Sequence, residues 1–252
     1  MNMDFKNKVV LITGTSSGIG KGAALEFAQK GAKVVLASRN KERNLELLRE
    51  IESLGTEAIF IPTDMSKSKD IQDMVTETMK TFGRLDIAVN NAGVEGTPGV
   101  KAMDYEEDVW DQVLDVNLKS VWLCMKHQLR AMLSNGGGNI INISSLAGLK
   151  GGGAGVAYHA SKFGVVGITQ AVALEYAEDN IRVNAICPAV IETPMAQRAF
   201  DEPEKRKAAI AMHPVGRFGK VQEVVSAILW LASPSSGFVT GTSIPVDGGA
   251  SL

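Results

Sequence analysis

Two side chains in this 252-residue chain are spaced to share a proton. Tyr158 and Lys162 lie four residues apart, and in a helix that spacing puts both on one face. A phenol ordinarily titrates near ~10, and a neighbouring ammonium favours the phenolate. A drop of about 2 to 3 units needs roughly 3 to 4 kcal/mol of preferential phenolate stabilisation. Small residues at Ala160, Gly164, Gly167 and Ala171 suit close packing of this helix against a neighbour. Upstream, an apolar run ends in Ile143-Ser144-Ser145, where a hydroxyl can face the same pocket. A lone Tyr-x-x-x-Lys pair is usually structural, so its surroundings decide the reading.

A second cluster supplies a partner. Thr13-Gly14-Thr15-Ser16-Ser17-Gly18-Ile19-Gly20 closes one apolar run and opens a helical pattern. Glycines let backbone approach a pyrophosphate, and a helix N-terminus offers unpaired N–H groups and a positive dipole end. A plain tight turn is the competing reading. No Gly-Lys-Ser/Thr follows, which argues against a nucleoside-triphosphate loop. If a dinucleotide sits here, the end of the second strand reads its ribose: an acid there would bind a 2′-hydroxyl. This chain has Ser38-Arg39-Asn40 instead. No carboxylate repels a 2′-phosphate, and Arg39 can pair with one bidentately. The expectation is NADP(H) in preference to NAD(H), with NAD(H) possible; an arginine on a solvated loop is the alternative. An oxidised nicotinamide, itself cationic, would add to Lys162 in lowering the Tyr158 phenol. Asp64 is expected either to accept from the adenine amine or to cap a helix near Ser66.

These groups need a frame, and the apolar pattern provides one. Short runs at Val9–Ile12, Val34–Ala37, Ala58–Ile61, Leu85–Val89, Asn139–Ile143, Ile181–Ile186 and Ser243–Val246 read as strands. Helical patterns fill the gaps: Gly18–Lys30, Lys41–Leu54, Lys69–Phe82, Glu106–Met132, Val156–Ala177 and Val221–Ala232. Gly31, Gly55 and Gly83 stop the first three. The stripe Leu47, Leu48, Ile51 and Leu54 defines the buried face of the second. Apolar strands alternating with amphipathic helices predict one α/β domain over residues 1–252. It is doubly wound, Rossmann-type, with a mostly parallel seven-stranded sheet. Ligands in such sheets sit beyond the carboxyl ends of the strands.

Taken in order, the motifs resemble those of the short-chain dehydrogenase/reductase family over nearly the whole chain. The matching stretches are Thr13-Gly14-x-x-x-Gly18-Ile19-Gly20, Asp64, Asn90-Asn91-Ala92-Gly93, Asn117 and Ser145. Tyr158-His159-Ala160-Ser161-Lys162, Asn184, Pro188, Thr193 and Asp247-Gly248-Gly249 follow. The resemblance implies a catalytic tetrad of Asn117, Ser145, Tyr158 and Lys162. Tyr158 would exchange the substrate proton, Ser145 polarise the carbonyl, Lys162 bind the ribose, and Asn117 support a relay water. The family's Ser-to-Tyr spacing selects Ser145 over Ser144. It further implies cofactor contacts from Gly14, Ser16, Ser17, Gly18, Ile19, Gly20, Ser38, Arg39, Asp64, Asn91, Ala92 and Gly93. Tyr158, Lys162, Pro188, Ala189, Ile191 and Thr193 complete that set. The chain departs from the family at Pro188-Ala189, where Pro-Gly is usual. Because alanine disfavours positive φ, a locally altered backbone is expected there.

Composition narrows the rest. A net charge of −2 leaves no electrostatic footprint for nucleic acid or an anionic membrane. Cys124 and Cys187 form no disulfide framework, the three histidines show no metal-site spacing, and a soluble cytoplasmic protein is expected. A serine hydrolase would need Gly-x-Ser-x-Gly around Ser145, which is absent, and His159 should point away from Tyr158. The rival is a catalytically silent dinucleotide-binding regulatory or scaffolding protein, which would usually have lost the tyrosine or lysine. Expected partners are a small ketone or secondary alcohol and further copies in a homotetramer, as the resemblance implies and as 238–252, rich in apolar residues with Asp247 its one charge, would suit. Residues 194–214 mix Met195, Phe200, Ile210 and Met212 with a charged run, as a substrate loop with one short amphipathic helix would.

Overall fold

The structure is a computed structural model, described here for residues 4–252. Strand β1 (Val9–Thr13) is buried along its whole length, because helices cover both faces of the sheet. Its alternate residues feed two cores. Val10 and Ile12 pack with Phe27, Leu47, Val224 and Ile228 on one side. Val9 and Leu11 pack with Ile71, Met74, Met125, Met132 and Val165 on the other. The first group belongs to α1 (Gly18–Gln29), α2 (Lys41–Ser53) and α9 (Val221–Ala232); the second to α3 (Ser68–Phe82), α5 (Ser120–Ser134) and α6 (Val156–Glu175).

The remaining strands are β2 (Lys33–Ser38), β3 (Ala58–Pro62), β4 (Ile87–Asn90), β5 (Gly138–Ile143), β6 (Ile181–Pro188) and β7 (Ser243–Val246). They form the expected seven-stranded sheet, in the order β3-β2-β1-β4-β5-β6-β7, with every neighbouring pair parallel. The order reverses between β1 and β4, so a crevice opens beyond their carboxyl ends. Strand β4 starts two residues later than the apolar run. Asp86 spends its carboxylate on the Val9 N–H at 2.9 Å and on Arg84.

Three elements differ from the sequence pattern. The stretch read as one helix from 106 to 132 is α4 (Glu107–Leu114), a π-helical turn at Asp115–Lys119, and then α5. The Ser120 N–H bonds back to Asp115 O, five residues away, while the Ser120 hydroxyl takes up Val116 O at 2.6 Å. Residues 194–214 hold two helices, not one: α7 (Pro194–Ala199) and α8 (Pro203–Ala211). Each begins with proline at its first position, where the missing N–H costs nothing. Leu54, placed on the buried stripe of α2, is 45% exposed, because α2 ends at Ser53 and the stripe runs out of sheet to cover. Among the described residues, no helix is long and apolar enough to cross a membrane.

Candidate active site

The turn from β1 into α1 is built for close approach. Gly14 has φ 73°, and a Cβ there would lie 2.9 Å from Ala92 Cα. At Gly20, an added Cβ would collide with the Gly14 carbonyl. On Gly18 it would lie 3.1 Å from Thr193 Cγ2, so the turn meets the segment after β6. Ser17, the N-cap of α1, makes no side-chain cap bond, and the first turn of α1 carries no acid. Ser16 and Ser17 are partly exposed at this open helix end, whereas Ile19 packs against the core. Unpaired N–H groups, a positive dipole end and space that a Cβ would fill fit a dinucleotide pyrophosphate.

The segment after β4 is pinned to that turn. Thr13 Oγ1 accepts from the N–H groups of Asn91 at 3.0 Å and Ala92 at 3.1 Å. Asn91 Nδ2 donates to Thr13 O at 2.9 Å. Beneath it, Asn90, Gln128, Asn142 and Thr169 form a buried hydrogen-bonded chain from β4 to α6. This chain fixes the height of α6, which carries Tyr158 and Lys162.

Lys162 is buried, and its Nζ donates to Ile143 O at 2.9 Å. Burial pulls the ammonium down to about 8, partly offset by Cys187. Its Nζ lies 5.6 Å from the centre of the Tyr158 ring. The expected lowering of the phenol is not present in the protein alone. Burial pushes Tyr158 up, a hydrogen bond with Ser145 pulls it down, and the Glu95 charge pushes it up. Ser145 Oγ accepts from the Ala147 N–H at 3.1 Å, which directs its own proton to the Tyr158 oxygen beside it. Ser144 is set apart from Ser145: buried, it donates to Lys162 O at 2.8 Å and supports α6 from below.

Asn117 is fully buried in the π-helical turn. Its Oδ1 accepts from Val94 N at 2.8 Å, and its Nδ2 donates to Val94 O at 2.9 Å and Ser161 Oγ at 3.3 Å. The side chain is thus occupied in tying the loop after β4 to α6. A Cβ on Gly93 would lie 3.3 Å from Asn117 Oδ1 and 3.7 Å from Lys162 Nζ, so these three positions converge. His159 turns away from Tyr158, its ring nitrogens 2.9 Å from Ala147 O and Gly152 O, and fastens the loop after β5.

Other predicted positions fall differently. Asp64 Oδ1 accepts from Ser66 N and Oγ, which holds its carboxyl below the usual range; it ties a turn ahead of α3, whose N-cap is Lys67, and does not cap the helix. The Ile191 side chain is core; only its backbone faces outward, its carbonyl taking the Thr193 hydroxyl at 3.2 Å. Thr193 also caps α7 by accepting from Ala196 N. Ala189 avoids positive φ, as expected of alanine at this position. Positive φ outside glycine occurs only at Asn7 and Asn180 among the described residues, and the Ala189 N–H bonds to Val246 O beyond Pro188. Sequence reasoning missed Asn44, fully buried between Thr15, Ser38 and Asn40. A polar residue of weak helix propensity inside α2 was the available signal. It also missed the pair Arg198–Glu95, 3.1 Å across the mouth of the cleft. A polar depression of 490 Å³ lined by Asp4, Lys6 and Gln29 lies at the opposite, amino end of the sheet.

Comparison with known proteins agrees with this geometry. A family model described as enoyl-(acyl carrier protein) reductase matches residues 14–251. An uncharacterized oxidoreductase of Thermotoga maritima is 42% identical, covering 98% of this chain and 99% of its own. Cyclohexanol dehydrogenase of Acinetobacter sp. is 40% identical over 98% of this chain and 96% of its own. The crystal structure of levodione reductase superposes with a TM-score of 0.93 at 34% identity, covering 98% of both chains. The chain belongs to the short-chain dehydrogenase/reductase family, whose members are oxidoreductases that use nicotinamide dinucleotides.

Proposed function

We propose that the protein is an NADP(H)-dependent oxidoreductase that interconverts a ketone and a secondary alcohol, with Tyr158 as acid and base. The observation that carries this reading is the convergence of Tyr158, Ser145 and the buried Lys162 beside an uncapped helix end. A bound nicotinamide supplies the hydride. Tyr158 holds the proton that the substrate oxygen gains on reduction and returns on oxidation. The Ser145 hydroxyl, directed to Tyr158 in the protein alone, turns its proton to that oxygen when substrate binds. Lys162 keeps two N–H donors beyond the Ile143 bond, for a ribose hydroxyl and for phenolate charge. Asn117 positions the loop and α6 relative to one another. Gly14, Ser16, Ser17, Gly18 and Gly20 are the pyrophosphate cradle, and Asn91, Ala92, Gly93, Pro188, Ala189 and Thr193 flank the nicotinamide half. Arg39, exposed at the end of β2, pairs with the adenosine 2′-phosphate.

Relatives are named for cyclohexanol and for a 3-oxoacyl-(acyl-carrier-protein), and a structural neighbour for levodione. Half-buried Val94, Leu146 and Met195 support a small hydrophobic ketone for this chain. Trp122, Phe163 and Phe238 are exposed apolar surface that supports a homotetramer, to be checked by light scattering. Two buried free cysteines suit a reducing cytoplasm. The decisive test is NADPH and NADH oxidation with a panel of cyclic and linear ketones. Tyr158→Phe should lose at least ~10²-fold in turnover with cofactor affinity nearly unchanged. A higher kcat/KM with NADH, or full turnover by Tyr158→Phe, overturns the reading.

A further inference from the structure

We propose that Asn44 is a positioning residue for the adenosine 2′-phosphate, fixing the Ser38 hydroxyl as a donor toward it. The proposal rests on the NADP(H) reading above. Asn44 is fully buried on α2. Its Nδ2 donates to Asn40 O at 2.6 Å and to Ser38 Oγ at 2.5 Å, and its Oδ1 accepts from Thr15 Oγ1 at 2.5 Å. A backbone carbonyl only accepts, so Asn40 O dictates which end of the amide is nitrogen. Both amide protons are then spent, and Oδ1 is taken.

Ser38 therefore receives a proton from Asn44 and must direct its own proton elsewhere. Thr15 lies in the pyrophosphate turn and Ser38 ends β2, so one amide clamps together the two segments that flank the adenosine ribose. Among the described residues no hydrogen bond takes up that proton, so the largely buried Ser38 O–H needs an acceptor. Phosphate oxygens are acceptors bearing charge, whereas a ribose 2′-hydroxyl brings a competing proton. Next to Ser38, Arg39 is exposed; its charge reaches the Asp64 carboxylate, but among the described residues no carboxylate lies within ion-pair distance of it. A neutral amide behind a hydroxyl, beside a guanidinium that makes no ion pair, is polarity matched to a phosphate monoester.

Calorimetric titration with adenosine 2′,5′-bisphosphate and with 5′-AMP tests this without turnover. Asn44→Leu and Ser38→Ala should each weaken the bisphosphate about tenfold, the scale of one hydrogen bond to a charged group. Neither should change 5′-AMP binding more than about twofold. The double variant should be no worse than about tenfold, because Asn44 acts through Ser38. Equal weakening of both fragments by Asn44→Leu, or losses that multiply, overturns the proposal. If Asn44→Leu does not fold, unchanged bisphosphate binding by Ser38→Ala overturns it alone. A wild type that binds both fragments equally overturns the cofactor reading as well. A wild type that prefers the bisphosphate, with the preference intact in Asn44→Leu, overturns only the role of Asn44.

Discussion

The two walls of the crevice are held by different forces. On the β1–β4 side, backbone meets backbone with no room for a Cβ, and buried amides and hydroxyls satisfy one another. On the other side, α7 and α8 are held by surface ion pairs, Arg198 to Glu95 at 3.1 Å and Arg206 to Glu192 at 3.0 Å, and by the packing of Phe200 and Arg206 on the buried Phe218. His213 adds a tether, accepting from Val190 N at 3.3 Å. Exposed ion pairs are each worth about 1 kcal/mol or less, whereas an orphaned buried polar group costs about 1 to 3 kcal/mol. The first wall is therefore expected to act as a fixed mould, and the second to open more readily.

The most severe challenge to the mould is Gly14→Val. Left-handed strain and overpacking against Ala92 should together cost about 3 kcal/mol, seen as a lowered melting temperature and lost cofactor binding. Tolerance of valine would mean that the turn is looser than its contacts indicate. Lys162→Met probes the same wall through pH. Lys162 titrates at about 8 in the folded chain, against its ordinary 10.5. Between those values the unfolded chain binds more protons, so wild-type stability rises with pH across that window, and the cost of the buried charge is fully present below it. Lys162→Met should thus be more stable than wild type at pH 7, by on the order of 3 kcal/mol. That advantage should fade by pH 10.5, and a constant difference in melting temperature would refute it.

The mould was largely legible in the sequence, because glycine spacing is a direct trace of backbone approach. What holds it was less so. Asn44 hides among the apolar positions of α2, and the network below Asn90 is assembled from residues far apart in the chain. The π-helical turn escapes detection because its apolar pattern is continuous with the helices on either side. The second wall was visible only as length and composition, since the partners Glu95 and Arg198 are 103 positions apart. Its two helices did leave a signal, in Thr193-Pro194 and Glu202-Pro203, an N-terminal pattern with proline at the first helical position.

Hydrogen exchange separates the two walls more gently. Amides of residues 194–214 should exchange well before those of β1 and gain protection when NADPH and a ketone are added. Equal protection of both segments without ligand would make α7 and α8 a fixed wall. The smallest effect is expected of Arg198→Ala. It should change stability by less than about 1 kcal/mol while raising KM, since only the latch over the cleft is lost. A stability loss well beyond that would place Arg198 in the structural frame.

The π-helical turn around Asn117 can be counted as a surplus residue. With 3.6 residues per turn, each residue of an α-helix advances the side chains by about 100°. Deleting one residue from Asp115–Lys119 would let α4 and α5 fuse into one straight helix with a better internal ladder. The two halves, however, keep separate appointments: α4 packs on α6, and α5 on α3. A straight helix could honour one and would rotate the other by more than a quarter turn. The turn thus works as a phase shifter, and the strain-free helix is the one arrangement this chain cannot use.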